Sequence, residues 1–126
     1  MRDFRSDTVT RPTSKMLNTL TDYTFGVNAF EEDEATKRLI SGYCSLFKKE
    51  SALFVPSGTM GNLLALTSHC RRGGSAVVGS HSHVVNWERG NLATFGRVYP
   101  QIIQNTSTGE MPLNEIEAAF PVNTDF

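Results

Sequence analysis

The sequence lacks the strong compositional signals that would assign a class of partner. Its 126 residues carry 12 Lys and Arg against 13 Asp and Glu, so it has neither the basic field of a nucleic-acid-binding protein nor an acidic tail. No apolar run approaches the length of a membrane span, and the first residues contain no apolar signal-peptide segment. We therefore expect a cytoplasmic protein that binds neither nucleic acid nor membranes.

Cysteine is also scarce, with only Cys44 and Cys70 present. Both lie in helix-like apolar stretches without a second ligand at metal-binding spacing, so we expect reduced, packed side chains rather than a disulfide or a metal site. His81 and His83 alternate as metal ligands on a strand can, but without a nearby Cys or carboxylate they make a poor zinc set. No bound metal is predicted.

Apolar periodicity predicts helices that alternate with short strands. The clearest element is an amphipathic helix over residues 32–49, with an acidic first turn and a basic last turn. The other predicted helices cover residues 12–20, 62–70, 84–92 and 114–120, and the predicted strands cover residues 52–55, 76–78 and 97–103, the last broken at Pro100. No repeat, linker or domain boundary is evident. Short apolar strands separated by helices indicate an α/β fold with a mostly parallel sheet covered on both faces.

The most informative segment is residues 52–62, an apolar run followed by Ser57, Gly58 and Thr59 and then by a helix. Free N–H groups and two hydroxyls at such a helix start can bind a phosphate, although Ser57 or Thr59 could instead simply cap the helix. No Lys follows these residues, and Gly58 and Gly61 lack the third glycine of the dinucleotide fingerprint. A phosphate carrier other than the usual nucleotides is therefore indicated.

A second polar segment, His81, Ser82 and His83, also follows a predicted strand. Ligands of parallel sheets bind beyond the carboxyl ends of the strands, so we expect this segment and residues 57–59 to open into one crevice. Taken alone, His83 is more simply explained as a loop or helix-entry histidine.

Two segments together resemble a known family. Residues 4–13 read Phe-Arg-Ser-Asp-Thr-Val-Thr-Arg-Pro-Thr and residues 52–62 read Ala-Leu-Phe-Val-Pro-Ser-Gly-Thr-Met-Gly-Asn, which in this order strongly resembles low-specificity L-threonine aldolase. The resemblance runs over nearly the whole chain. It implies the β-eliminating-lyase-like group of pyridoxal 5'-phosphate (PLP) enzymes, with the aspartate-aminotransferase type of fold. Residues 1–126 would then be an incomplete N-terminal segment of the three-layer, PLP-binding large domain.

The resemblance also implies roles for five residues. Gly58 and Thr59, with Ser57 beside them, would bind the PLP phosphate, in agreement with the anion site inferred above. His83 would stack on the pyridine ring and help to remove the proton of the substrate β-hydroxyl, directly or through water, and imidazole is suited to accepting a proton near neutral pH. Ser6 would help to hold the substrate carboxylate, although a turn serine that bonds its own backbone fits equally well.

Three further charged residues match the family but are expected to have structural roles. Arg5 and Asp7 are expected to pair locally. Glu88 follows the ring-stacking histidine and is expected to support it or to pack beside it.

The reaction implied by the resemblance is cleavage of the β-hydroxy amino acids L-threonine and L-allo-threonine to glycine and acetaldehyde, carried out by a homo-oligomer. The family's PLP-binding lysine lies beyond the region matched here, and no lysine of this chain is placed where a strand opens into the crevice; the lysines are Lys15, Lys37, Lys48 and Lys49. We therefore expect the isolated chain to be inactive. It would be either an N-terminal piece of a PLP-dependent aldolase or a non-catalytic chain, such as a misassembled product or a piece that docks on full-length subunits.

Overall fold

A computed structural model describes residues 3–23, 26–27 and 33–120. The chain divides into two compact units, Met1–Phe54 and Val55–Phe126. The first unit contains a short 3₁₀ helix, Asp7–Val9, and the helices α1 (Ser14–Asn18) and α2 (Glu34–Phe47). The second contains, in order, α3 (Gly58–His69), β1 (Ser75–Gly79), α4 (His83–Asn86), α5 (Asn91–Thr94), β2 (Tyr99–Ile103) and α6 (Leu113–Ala119). Within the described ranges, no helix has the length and apolar character needed to cross a membrane.

The long helix of the first unit confirms the strongest sequence prediction, with slightly shorter bounds. Glu34 supplies the acidic first turn, but the prediction of a basic last turn is wrong, because the helix ends at Phe47, before Lys48 and Lys49. Its apolar side chains recur at helical spacing, and the rings of Tyr43 and Phe47 stack with their centres 5.6 Å apart. The helix ends because Lys48 adopts the left-handed conformation, with φ at 52°. None of the described residues of this unit is buried, so its local structure follows from helical periodicity and capping rather than from a core.

The second unit is built on a parallel pair of strands. β1 and β2 pair from Ser75 opposite Tyr99 to Gly79 opposite Ile103, and α4 and α5 form the connection between them. This strand-helix-strand arrangement is the one that parallel pairing requires, and it confirms the predicted α/β class. The buried apolar side chains lie on these elements or directly before β2; they are Val78, Leu92, Val98 and Ile103.

β2 runs through Pro100 without the predicted break. Tyr99 donates its N–H to the carbonyl of Gly74, on the β1 side, at 2.8 Å. Successive residues of a strand direct their N–H groups to opposite edges, so the nitrogen of Pro100 faces away from β1 and no ladder hydrogen bond is lost.

Three other predicted elements differ from the structure. The prediction of a strand at residues 52–55 is wrong, because an apolar run becomes a strand only when it pairs, and no described segment pairs with it. α3 begins at Gly58, four residues before the predicted start, since Ser57 caps it. The predicted helix at residues 84–92 is two short helices, because Arg89 and Gly90 between them are both left-handed, with φ at 53° and 72°.

Candidate functional site

The N-terminus of α3 presents hydrogen-bond donors that the protein does not use. Ser57 has an extended backbone, and its Oγ accepts a hydrogen bond from the N–H of Met60 at 3.1 Å. The N–H of Gly61 is bonded to the carbonyl of Ser57 at 3.0 Å. Among the described residues, the N–H groups of Gly58 and Thr59 and the hydroxyl of Thr59 have no protein acceptor or donor. The first turn therefore has free donors and the positive end of the helix dipole.

The surroundings of this helix start leave room for an anion. A Cβ added at Gly58 would meet no atom within 4 Å, so the approach to the helix is open. The first turn also contains no acidic residue that would repel a negative ligand. Of the two interpretations of this segment, Ser57 fulfils the capping role, and Gly58 and Thr59 retain the donors that a phosphate needs. The assignment of these three residues to PLP stays a prediction.

His83 is the first residue of α4, which follows the carboxyl end of β1 after a short turn. Its side chain is 60% exposed, so the ring is accessible to a ligand. Its Nδ1 lies 2.9 Å from Oε1 of Glu88, whose side chain is only 1% exposed. The imidazole is thus held at Nδ1 by a buried carboxylate, and the rest of the ring is largely exposed.

The same carboxylate oxygen connects His83 to α3. Asn62, one turn after the start of α3, donates its side-chain N–H to Oε1 of Glu88 at 2.7 Å. Burial raises the pKa of the Glu88 carboxyl, but hydrogen bonds from Asn62 and from His83, together with the adjacent imidazole charge, outweigh burial and place the pKa below its ordinary value. Glu88 is therefore an ionised group that links the histidine to the helix bearing the free N–H groups.

The turn that leads into α4 is held by Asn105, which follows β2. Oδ1 of Asn105 accepts hydrogen bonds from the N–H of His81 at 2.8 Å and from the hydroxyl of Ser80 at 3.3 Å. Its Nδ2 donates to the carbonyl of Gly109 at 2.9 Å. This asparagine fixes the chain just before His83, although the sequence pattern does not single it out. The sequence also assigns no role to Asn62, although this residue lies within the informative segment 52–62.

Ser6 belongs to the first unit and takes part in a local turn. Its Oγ accepts from the N–H of Thr8 at 3.2 Å and lies 3.1 Å from a carboxylate oxygen of Asp7. Arg5 forms an exposed, two-point pair with Asp3, with contacts of 2.9 Å and 2.6 Å. The turn interpretation of Ser6 is therefore realised, and its contact with a substrate carboxylate stays a prediction.

The described residues fit one end of PLP better than the other. The phosphate end is matched by the free donors of Gly58 and Thr59, and a ring-stacking partner is available in the exposed imidazole of His83. No lysine occurs in the second unit, since all four belong to the first, on or directly after its helices.

Within the described ranges no cluster of three or more metal-ligating side chains occurs. Cys44 and Cys70 are both free and half-buried, so neither is the fully packed side chain that the sequence predicts.

Comparison with known proteins shows which family the sequence matches. A family model described as beta-eliminating lyase matches residues 3–125. Low-specificity L-threonine aldolase 1 of Arabidopsis thaliana is 41% identical over 118 residues, covering 93% of this chain and 33% of the plant protein. Low specificity L-threonine aldolase of Escherichia coli (strain K12) is 39% identical over 116 residues, covering 92% and 35%. An uncharacterized protein of Caenorhabditis elegans is 43% identical over 120 residues, covering 95% and 29%. The chain thus spans about a third of the length of the curated relatives it matches.

Proposed function

The chain belongs to the beta-eliminating lyase family, and from this premise we propose that it supplies the phosphate-binding end of a PLP site and the histidine base of a threonine aldolase. The observation that carries the proposal is the link through Glu88. Its carboxylate holds His83 at 2.9 Å and Asn62 of α3 at 2.7 Å, so one unit joins a candidate base to a helix with free N–H donors. The proposed reaction is cleavage of L-threonine or L-allo-threonine to glycine and acetaldehyde in the cytoplasm, by a homo-oligomer of longer subunits.

The residues of this chain would perform binding and proton transfer in that reaction. When bound, PLP supplies the electron-withdrawing ring that amino-acid cleavage requires. Gly58 and Thr59 would donate their N–H groups, and Thr59 also its hydroxyl, to the phosphate, where the α3 dipole adds to the attraction. The imidazole of His83 would accept the proton of the substrate β-hydroxyl, which frees the oxygen electron pair to form the carbonyl of acetaldehyde. Ser6 would bind the substrate carboxylate.

We propose further that the isolated chain does not catalyse cleavage. Its lysines lie on or directly after the helices of the first unit, which also holds no buried residue among those described. A lysine that binds PLP covalently has to be held at a fixed position beside the ring, and an exposed lysine on a helix or directly after it is not so held. Domain organisation follows from the same proposal: residues 1–126 would be an incomplete segment of a PLP-binding large domain.

A non-catalytic docking chain is the second candidate function. It is favoured by the apolar face of α2, whose large side chains are between 43% and 74% exposed; they are Leu39, Tyr43, Leu46 and Phe47. Exposed apolar patches of this kind mark interaction sites. Acetaldehyde release separates activity from docking: a purified chain that releases acetaldehyde from L-threonine would refute the inactive-chain proposal.

Binding of inorganic phosphate and of PLP tests the first candidate. The variant Thr59→Val removes one donor without changing the shape of the side chain, and we expect it to bind both ligands at least about tenfold more weakly, because a hydrogen bond to a charged group contributes about 1.5–3 kcal/mol. The matched control is Thr94→Val, an exposed position on α5 that leaves α3 unchanged. Calorimetric titration of both variants provides the comparison. Equal affinities for the two variants, or no binding by the parent chain, would contradict the proposal.

A further inference from the structure

Glu88 is the one charged side chain that is buried among the described residues, at 6% exposure. A buried carboxylate is unfavourable unless hydrogen bonds compensate for its lost hydration. Asn62 and His83 both reach the same oxygen of this carboxylate, Oε1, at 2.7 Å and 2.9 Å. The proposed function uses the histidine but gives the carboxylate no chemical task.

The chemistry of this contact determines where the imidazole carries its hydrogen. An ionised carboxylate has no hydrogen and can only accept hydrogen bonds. The pKa of Glu88 lies below its ordinary value, which keeps the group ionised at neutral pH. Nδ1 of His83 must therefore donate, and in the neutral ring the lone pair is then on Nε2. Nε2 has no protein partner among the described residues, and the side chain is 60% exposed.

We propose that Glu88 is a positioning residue that holds the neutral His83 ring with its hydrogen on Nδ1, so that Nε2 is free to accept a proton. Asn62 fixes the carboxylate by its second hydrogen bond and thereby ties the orientation of the ring to α3. The role of Nε2 as a base rests on the proposed function, whereas the position of the hydrogen is a property of this chain alone.

A packing role and a positioning role make different demands on residue 88. Glutamine does not distinguish the two roles, because Asn62 and His83 both reach Oε1, and an amide oxygen at that place can still accept from Asn62 and from Nδ1 of His83. Leucine has a similar volume and can fill the same space, but it offers Nδ1 no acceptor. The variant Glu88→Leu thus satisfies a packing role and removes the reason for the hydrogen to lie on Nδ1.

The test is long-range ¹H–¹⁵N NMR of the histidine rings in the ¹⁵N-labelled chain, at a pH where the rings are neutral. His83 is assigned by its loss in His83→Gln. We expect the parent chain to show Nδ1 of His83 protonated and Nε2 unprotonated, and Glu88→Leu to lose most of this form. His69 and His81, whose rings have no hydrogen bonds among the described residues, serve as internal references that do not change. The charge control is Glu117→Gln, an exposed position on α6.

Each outcome bears on the proposal. A parent chain in which Nε2 of His83 carries the hydrogen overturns it, and this measurement needs no variant to fold. A folded Glu88→Leu chain with an unchanged His83 tautomer also overturns it. Loss of the Nδ1 form in Glu88→Leu but not in Glu117→Gln supports it.

Phosphate affinity is measured separately, so failure of this proposal and failure of the proposed function are distinguishable. A chain that fixes the tautomer but binds no phosphate refutes the proposed function and leaves the role of Glu88 intact. A chain that binds phosphate but carries the hydrogen on Nε2 refutes the role of Glu88 and leaves the phosphate site intact.

Discussion

The substitution Gly79→Ala should loosen the turn that leads to His83, because the added methyl group would displace the side chain of Asn105. Gly79 is buried at the end of β1. An added Cβ would lie 2.6 Å from Oδ1, 2.7 Å from Nδ2 and 3.0 Å from Cγ of Asn105; the first two distances are shorter than such atoms tolerate, and the third is a tight contact. The side chain of Asn105 must therefore move, and its hydrogen bonds to His81, Ser80 and Gly109 are broken.

The size of the effect follows from those bonds. The two at 2.8 Å and 2.9 Å have good length, and the one at 3.3 Å is weak. Taking about 1 kcal/mol for each good bond and less for the weak one, we expect Gly79→Ala to lower the free energy of unfolding by about 2–3 kcal/mol. If the loss of stability in Gly79→Ala arises from the clash with Asn105, the same substitution should cost little in a chain that already carries Asn105→Ala.

A double-mutant cycle measured by urea denaturation, followed by circular dichroism, tests this reasoning. Gly79→Ala and Asn105→Ala should each destabilise the chain, and the double variant should be about as stable as Asn105→Ala alone. The His81 N–H provides a local readout, since its hydrogen exchange should accelerate in all three variants. Additive losses in the double variant, or a Gly79→Ala chain as stable as the parent, would refute the explanation.

Three other substitutions have effects of predictable sign. Gly96→Ala should lower the free energy of unfolding by about 1–3 kcal/mol, because a Cβ in this buried position would lie 2.5 Å from the carbonyl oxygen of Leu92 and 3.0 Å from Cγ2 of Thr67. In the same urea titration Gly42→Ala should be neutral or stabilising by up to about 1 kcal/mol, because a Cβ at this position of α2 meets no neighbouring atom. The lowered pKa of Glu88 means that its carboxylate contributes stability that is complete above the unfolded-state pKa and is lost as the pH falls through the folded-state pKa. Urea midpoints measured over the acid range should therefore fall less steeply in Glu88→Gln than in the parent, and parallel curves would exclude this contribution.

Sequence periodicity predicts those elements whose structure depends on local interactions. α2 is long enough for its 3.6-residue pattern to be distinctive, and the bounds of β1 and α6 follow from short apolar runs next to glycine or proline. The segment at residues 52–55 carries the same apolar signal as β1 but has no partner strand in the part of the chain that the structure describes, and pairing cannot be read from one segment alone. The break between α4 and α5 depends on the left-handed Arg89, a conformation that arginine rarely adopts.

In the candidate site, too, features formed by neighbouring residues can be predicted from the sequence, whereas contacts between distant residues cannot. Ser57, Gly58 and Thr59 are adjacent in sequence, so their helix-start chemistry is predictable from the order of residue types. The contact between Asn62 and Glu88 joins residues 26 positions apart, and the contact between Ser80 and Asn105 joins residues 25 positions apart. Neither asparagine has a periodic pattern that marks it. The sequence marks Glu88 only by its place after His83, since its burial and its contacts with Asn62 and His83 depend on the folded chain.

We propose above that this chain carries the phosphate end of a PLP site but not its covalent end. The most direct test is to titrate the purified chain with PLP, displace it with inorganic phosphate, then reduce with borohydride and measure the intact mass. We predict PLP binding that phosphate displaces, with no adduct confined to one residue. A single-site covalent adduct would contradict the absence of a functional lysine, and PLP binding that phosphate does not affect would contradict the assignment of Gly58 and Thr59.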